Sequence, residues 1–175
     1  ADTNNYAPTN DWEIGSRHTN QHYWPGYIAN LDITLTALSG TTVPTAPTTS
    51  NSNTLFLTRF DNAGIIDHTM KNNLESRNNT RISGQQIKFG TGSIYFDGTG
   101  DDLRNQEVDN PLFLMGTSDW TLECFAYSNG NQGSDVFGAT LLYIGGAGSN
   151  NAIWLTQNSS DKLCGRILYN GIQQT

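Results

Sequence analysis

KFGTGSIYFDGTGDDL, residues 88–103, is the stretch on which the fold turns. Ile94 and Phe96 alternate with Ser93 and Tyr95, the period-two pattern of a half-buried strand. Asp97-Gly98-Thr99-Gly100-Asp101 follows, rich in the residues that accept the unusual backbone angles of tight turns. Leu103 opens a return strand. A strand, an Asp-Gly turn and a second strand make a hairpin, and nothing in the stretch has helical spacing.

The same pattern extends in both directions. Strands are expected at 11–15, 27–35, 54–60, 82–87, 93–96, 103–105, 120–127, 139–145, 152–157 and 162–169, with Gly, Asn and Asp between them. Short helical turns are expected only at 112–115 and 72–76. In DWTLECFAY, residues 119–127, Trp120, Leu122, Cys124 and Ala126 point one way, and Thr121, Glu123, Phe125 and Tyr127 the other. The second face is mixed: it reads as an aromatic-bearing sheet face or as one covered by a loop. Many short strands at this spacing indicate a two-sheet sandwich, with Trp120, Leu122, Ile94, Phe96, Leu141 and Ile153 in its core. Residues 39–53, SGTTVPTAPTTSNSN, form a linker in which Pro44 and Pro47 favour extended chain.

Composition limits the function. The chain has 175 residues and a formal net charge of -7, from 9 Lys+Arg against 16 Asp+Glu. That balance excludes a phosphate-neutralising footprint, so no nucleic-acid partner is expected. There is no apolar run of membrane-spanning length and no basic-plus-apolar leader. The chain begins abruptly at Ala1 and is expected to be processed or cut from something longer. Its two cysteines, Cys124 and Cys164, make neither a zinc motif nor a CxxC pair. They read as small buried hydrophobes, and a disulfide between them stays open.

Residues 54–175 resemble the first two-thirds of a laminin-G-like repeat of the concanavalin A-like superfamily. LFLTRFDNAG is similar to the family's entry strand, and its following loop contains Asp67. The 88–103 hairpin is similar to its Phe-Gly turn and Phe-Asp-Gly return, and DWTLECFAY to its aromatic-Thr-apolar-Glu-aromatic strand. WEIGSRHTNQHYWPGYIANLDITL, residues 12–35, resembles the family's two closing strands. The resemblance implies an all-β fold, an antiparallel two-sheet jelly-roll sandwich of concanavalin A-like type, incomplete in this chain. It divides the chain into 1–38, the closing strands of a preceding or the same unit; 39–53, the linker; and 54–175, a sandwich lacking its carboxyl-terminal strands. Of the two placements for the closing strands, a preceding repeat is preferred over fold-back. Paired acids usual after Gly-Tyr-Ile are replaced here by Ala29 and Asn30.

Chemistry for catalysis is sparse. His18, His22 and His68 lie in loops, where the four-residue spacing of the first two has no mechanical meaning. Glu123 is the best-placed acid, and no second acid shares its strand face, so a glycosidase is not expected. Asp97, Asp101, Asp102 and Asp61 are candidate ligands for a structural calcium, the one cofactor in view. The same residues also serve as ordinary hairpin-turn chemistry, and that reading is preferred. Tyr23, Trp24, Tyr27, Asn150 and Asn151 are candidates for sugar binding, which needs an aromatic platform beside amide groups. Core or loop-pinning roles compete for each. Two glycosylation-type triplets, at 78–80 and 158–160, are expected by chance in so Asn-rich a chain.

The expected function is a non-catalytic structural or adhesion module of a virion or cell-surface assembly, as in phage fibre, baseplate or capsid-decoration proteins. It would sit on a virion surface or outside cells. Its partners would be other chains or repeats, and surface glycans, without membrane insertion. The alternative is a carbohydrate-binding module of a secreted glycan-active enzyme.

Overall fold

The computed structural model describes residues 12–17, 22–37, 42–61, 64–105, 116–130, 138–145 and 151–174. These form strands β1 (Trp12–Ile14), β2 (Pro25–Thr34), β3 (Thr54–Thr58), β4 (Glu75–Arg77), β5 (Arg81–Ser83), β6 (Ser93–Asp97), β7 (Asp102–Asn105), β8 (Thr121–Ser128), β9 (Ala139–Ile144), β10 (Ala152–Gln157), β11 (Leu163–Tyr169) and β12 (Ile172–Gln174). No helix occurs among the described residues. The strands build two packed antiparallel sheets, an all-β sandwich compatible with a jelly roll.

The larger sheet has the order β12-β11-β10-β9-β1-β7-β4. The smaller is organised around β2. β8 pairs along one edge of β2, from Gly26 to Thr34. The other edge is shared: β6 takes Pro25–Ile28, and β3 takes Leu31–Thr34. β5 then pairs with β6.

A bulge between Ala29 and Asp32 divides β2 into these halves. Asn30 sits in it with φ at 50°, a left-handed conformation that Asn tolerates better than most residues. The extra residue flips the alternation. Strict alternation from Tyr27 would send Leu31 and Ile33 to the outer face. Instead Ile28, Leu31 and Ile33 all enter the core, and Asp32 turns outward with Tyr27 and Ala29.

The inter-sheet core joins Trp12, Ile14, Trp24, Ile28, Ile33, Phe56, Phe60, Ile94, Phe96, Leu103, Leu142 and Ile144. Trp12 meets Phe56 edge-to-face at 4.8 Å between centroids, a geometry that adds to burial energy. Of the core expected from sequence, Ile94, Phe96, Leu141 and Ile153 are buried, while Trp120 and Leu122 pack partly buried against it. Trp154 is buried on the opposite face of the larger sheet, with Tyr143 and Ala152.

The amino-terminal strands, expected to close a preceding or the same unit, lie in these sheets: β1 between β7 and β9, and β2 through the smaller sheet. Their apolar residues fill the same core as those of 54–175. Two expectations change. The helical turn expected at 72–76 is replaced by strand β4, because Glu75 and Arg77 pair with Arg104 and Asp102 of β7. The turn expected at 112–115 lies outside the described residues. Finally, the strand expected at 82–87 ends at Ser83, and residues 84–92 fold over the smaller sheet instead.

Candidate functional site

The outer face of the smaller sheet carries the richest arrangement of side chains. A row crosses it strand by strand: Arg81 on β5, Tyr95 on β6, Tyr27 on β2 and Tyr127 on β8 are successive register partners. The Tyr27 and Tyr95 rings lie 5.0 Å apart, Tyr27 and Tyr127 6.1 Å apart, and the Arg81 guanidinium sits 4.5 Å from the Tyr95 centroid. Cross-strand aromatic and cation–π contacts of this kind hold the row rigid.

The 84–92 connection forms a wall above this face. Tyr27 donates its hydroxyl proton to Gln85 at 2.6 Å, and Phe89 stands edge-on to Phe125 at 5.3 Å. Lys88 lies over the same Phe125 ring, 4.8 Å from its centroid. Between wall and sheet runs a groove of about 290 Å³, lined among others by Tyr27, Gln86, Lys88, Phe125 and Tyr127. Tyr127 is 51% exposed and is the aromatic most open to a ligand. A concave, partly apolar groove with a few amide and cationic groups is the usual form of a small-ligand site.

Further along the same face, Asp32 is the register partner of Glu123. Asp32 is buried, and one of its carboxylate oxygens has no hydrogen-bond partner. Burial first, and the Glu123 charge second, push its pKa from 3.8 up to about 6. Thr48, from the 39–53 linker, docks beside the pair. Its N–H donates to Asn30 Oδ1 at 3.0 Å, and its hydroxyl accepts from Asn30 Nδ2 at 2.9 Å. The Thr48 hydroxyl also approaches Glu123 Oε1 at 3.5 Å, and Arg59 donates twice to the Thr48 carbonyl, at 3.2 and 3.0 Å.

The outer face of the larger sheet carries a different row: Glu75, Arg104, Glu13, Tyr143, Trp154 and Arg166 are successive partners. Arg104 bridges two fully buried acids, reaching Glu13 at 3.1 Å and Asp102 at 3.0 Å. Arg77 adds a contact to Asp102 at 3.5 Å. Arg17 lies 5.7 Å from the Trp154 ring centroid. This network ties β1 to β7 and is structural in form.

The sugar-binding candidates separate. Tyr27 lies in the groove. Trp24 is core, 1% exposed. Tyr23 stands by the Arg104 network, its pKa raised by burial first and then by the Asp102 charge. The Asn151 side chain accepts the Asn170 N–H at 3.0 Å, joining β10 to the β11–β12 turn. Asn150 lies outside the described residues. Phe125, Tyr127 and Lys88 complete the groove, and the sequence reading does not single them out for sugar binding. Phe125 and Tyr127 share the mixed face of DWTLECFAY, which was the available signal.

The calcium candidates turn toward other partners. Asp101 accepts the backbone N–H of Asn79 at 2.8 Å and of Asp97 at 2.9 Å. Asp97 accepts the N–H of Thr99 at 2.7 Å and the Asn79 side chain at 3.3 Å. Asp102 faces Arg104 and Arg77, and Asp61 packs against Gly90. Among the described residues, no three His, Cys, Asp or Glu side chains converge as a metal site. Cys124 and Cys164 are free thiols, and burial pushes the Cys124 pKa up to about 12. His22 Nδ1 lies 3.1 Å from the Gly138 carbonyl, which pins its loop to β9, and His18 lies outside the described residues.

Neither family models, nor curated proteins, nor solved structures gave a match to this chain.

Proposed function

We propose that this chain is a non-catalytic adhesion module that holds a surface glycan in the groove between the 84–92 wall and strand β8. The observation that carries the reading is the groove itself: Tyr127, 51% exposed, offers a ring face beside Phe125, Gln86 and Lys88 offer polar groups, and buried Tyr27 lies behind them, within one cleft of about 290 Å³. Aromatic faces stack on the apolar side of sugar rings, while amides and cations meet the hydroxyls. The concanavalin A-like character, and a place on a virion or cell-surface assembly, rest on the sequence resemblance.

Glycan cleavage is disfavoured although Asp32 now supplies Glu123 with a neighbouring acid. Hydrolysis needs two carboxylates flanking a glycosidic bond. Here the two acids are register partners on one sheet face, with Asp32 buried, and so do not stand on opposite sides of a bond.

A glycan array with the intact protein and with Phe125→Ala and Tyr127→Ala tests the reading. Retention of one defined glycan class, lost in both variants, is expected. Retention of no glycan, or binding indifferent to both substitutions, overturns it.

A further inference from the structure

We infer that Asn30, Asp32 and Glu123 form a second saccharide subsite, specific for paired hydroxyls of a neutral sugar, which the 42–50 strap fills through Thr48 until a ligand displaces it. This deepens the reading of the groove face as a glycan site and rests on it.

Position comes first. Glu123 and Phe125 are alternate residues of β8 and so project from one face, about 7 Å apart along the strand. Asp32 joins Glu123 there only because the Asn30 bulge reverses the alternation of β2. Bulges commonly re-aim side chains beside binding sites, and a left-handed Asn at the bulge is a locally costly conformation held by its surroundings.

Occupancy comes second. Asn30 holds Thr48 with both ends of its amide, giving Nδ2–H to the hydroxyl and taking the backbone N–H on Oδ1. One donor and one oxygen acceptor side by side is also what two adjacent hydroxyls of a sugar ring present to an amide. Beyond Asn30, the strap is tied at Thr48 by the two Arg59 bonds to its carbonyl, and elsewhere it lies open: Val43 is 62% exposed, and most of its neighbours in 42–50 are exposed. Pro44 and Pro47 remove two backbone donors that could have joined it to the sheet.

The third observation is what the strap leaves undone. Asp32 is 5% exposed, yet its Oδ1 accepts no hydrogen bond. A buried acceptor without a donor is costly, so a ligand hydroxyl that supplied one would outcompete Thr48. The strap is an imperfect occupant, and its displacement lets an oligosaccharide run from the aromatic groove onto the acid pair.

Thr48→Pro deletes both the N–H and the hydroxyl while keeping an extended strap; Thr48→Ala, which deletes only the hydroxyl, is the milder second variant. Calorimetric titration would use neutral gluco-, manno- and xylo-oligosaccharides, from disaccharides upward, with melting curves to verify folding. The expected result is a gain of about tenfold for the longer oligosaccharides in Thr48→Pro. A smaller gain is expected in Thr48→Ala, and Asp32→Asn added to Thr48→Pro should erase the gain. Wild-type binding that neither Thr48 variant improves leaves the groove standing and overturns the subsite. Binding by Thr48→Pro alone, lost with Asp32→Asn but not with Tyr127→Ala, supports the subsite and removes the groove. Binding by none of the proteins overturns both.

Discussion

Asp32 and Glu123 stand opposite one another in the β2–β8 ladder, so two carboxylates share one patch of sheet with no cation between them in the described contacts. Burial makes ionisation of Asp32 costly, and the neighbouring Glu123 charge adds to that cost.

The pair sets a pH dependence. An acid whose folded pKa is raised stabilises the fold below its unfolded pKa and loses that contribution as pH rises through the folded value. For Asp32 the window runs from 3.8 to about 6. The intact protein should therefore lose roughly 1–3 kcal/mol from this group between pH 4 and pH 7. Urea denaturation at both pH values, compared with Asp32→Asn, isolates the term. An identical pH profile in the variant would contradict it.

Arg104 should be among the least replaceable surface-directed residues. Its guanidinium reaches Glu13 and grips Asp102 with two nitrogens at 3.0 Å each, both acids being 0% exposed. Removing one partner of a buried ionic network strands the other charges, at a cost of about 3–5 kcal/mol. Arg104→Met should show that loss in chemical denaturation, and Arg104→Lys a partial loss, because lysine cannot form the two-pronged contact with Asp102.

Asp101 acts within its hairpin as a ligand to two backbone N–H groups, at 2.8 and 2.9 Å. Asp101→Ala should cost about 1–3 kcal/mol by leaving them without an acceptor. Chelator should leave the melting temperature of the intact protein unchanged. A lowered melting temperature, restored by calcium, would assign a metal to this loop.

Residues 54–175 expressed alone should not give a cooperatively melting monomer. They lack β1 and β2, whose partners lie on both sides of each. Adding a peptide of residues 12–37 should restore a sharp transition. A stable, monomeric 54–175 fragment would contradict the strand assignment.

The sandwich was legible where apolar alternation is unbroken. β6, β8 and β10 fall within a residue or so of their expected bounds because Ile94 and Phe96, Leu122 and Cys124, and Ile153 and Leu155 keep a period of two. β4 was missed because ESR carries no apolar signal and is a strand only through pairing with β7. The acid pair was missed for a different reason. Glu123 has no acidic partner along its own strand, whereas Asp32 arrives from β2, through a bulge that reverses its face. The spacing of Ile28, Leu31 and Ile33, a step of three and then of two, was the available trace of that bulge. Thr48 offered no trace at all: a threonine in a polar linker gains its role from the Asn30 amide, Arg59 and Glu123 that meet it in the fold.

The position of β1 bears on how the molecule is made. Emerging from the ribosome before every other described strand, Trp12–Ile14 must wait for Asp102–Asn105 and then Ala139–Ile144 before either of its edges is covered. Folding cannot therefore advance step by step behind synthesis. Long-range closure of this kind is slow and leaves apolar strands open to wrong pairings in the meantime. The nascent chain is at greatest risk until β9 has been translated, and that interval, rather than the stability of the finished sandwich, would limit the yield of soluble protein.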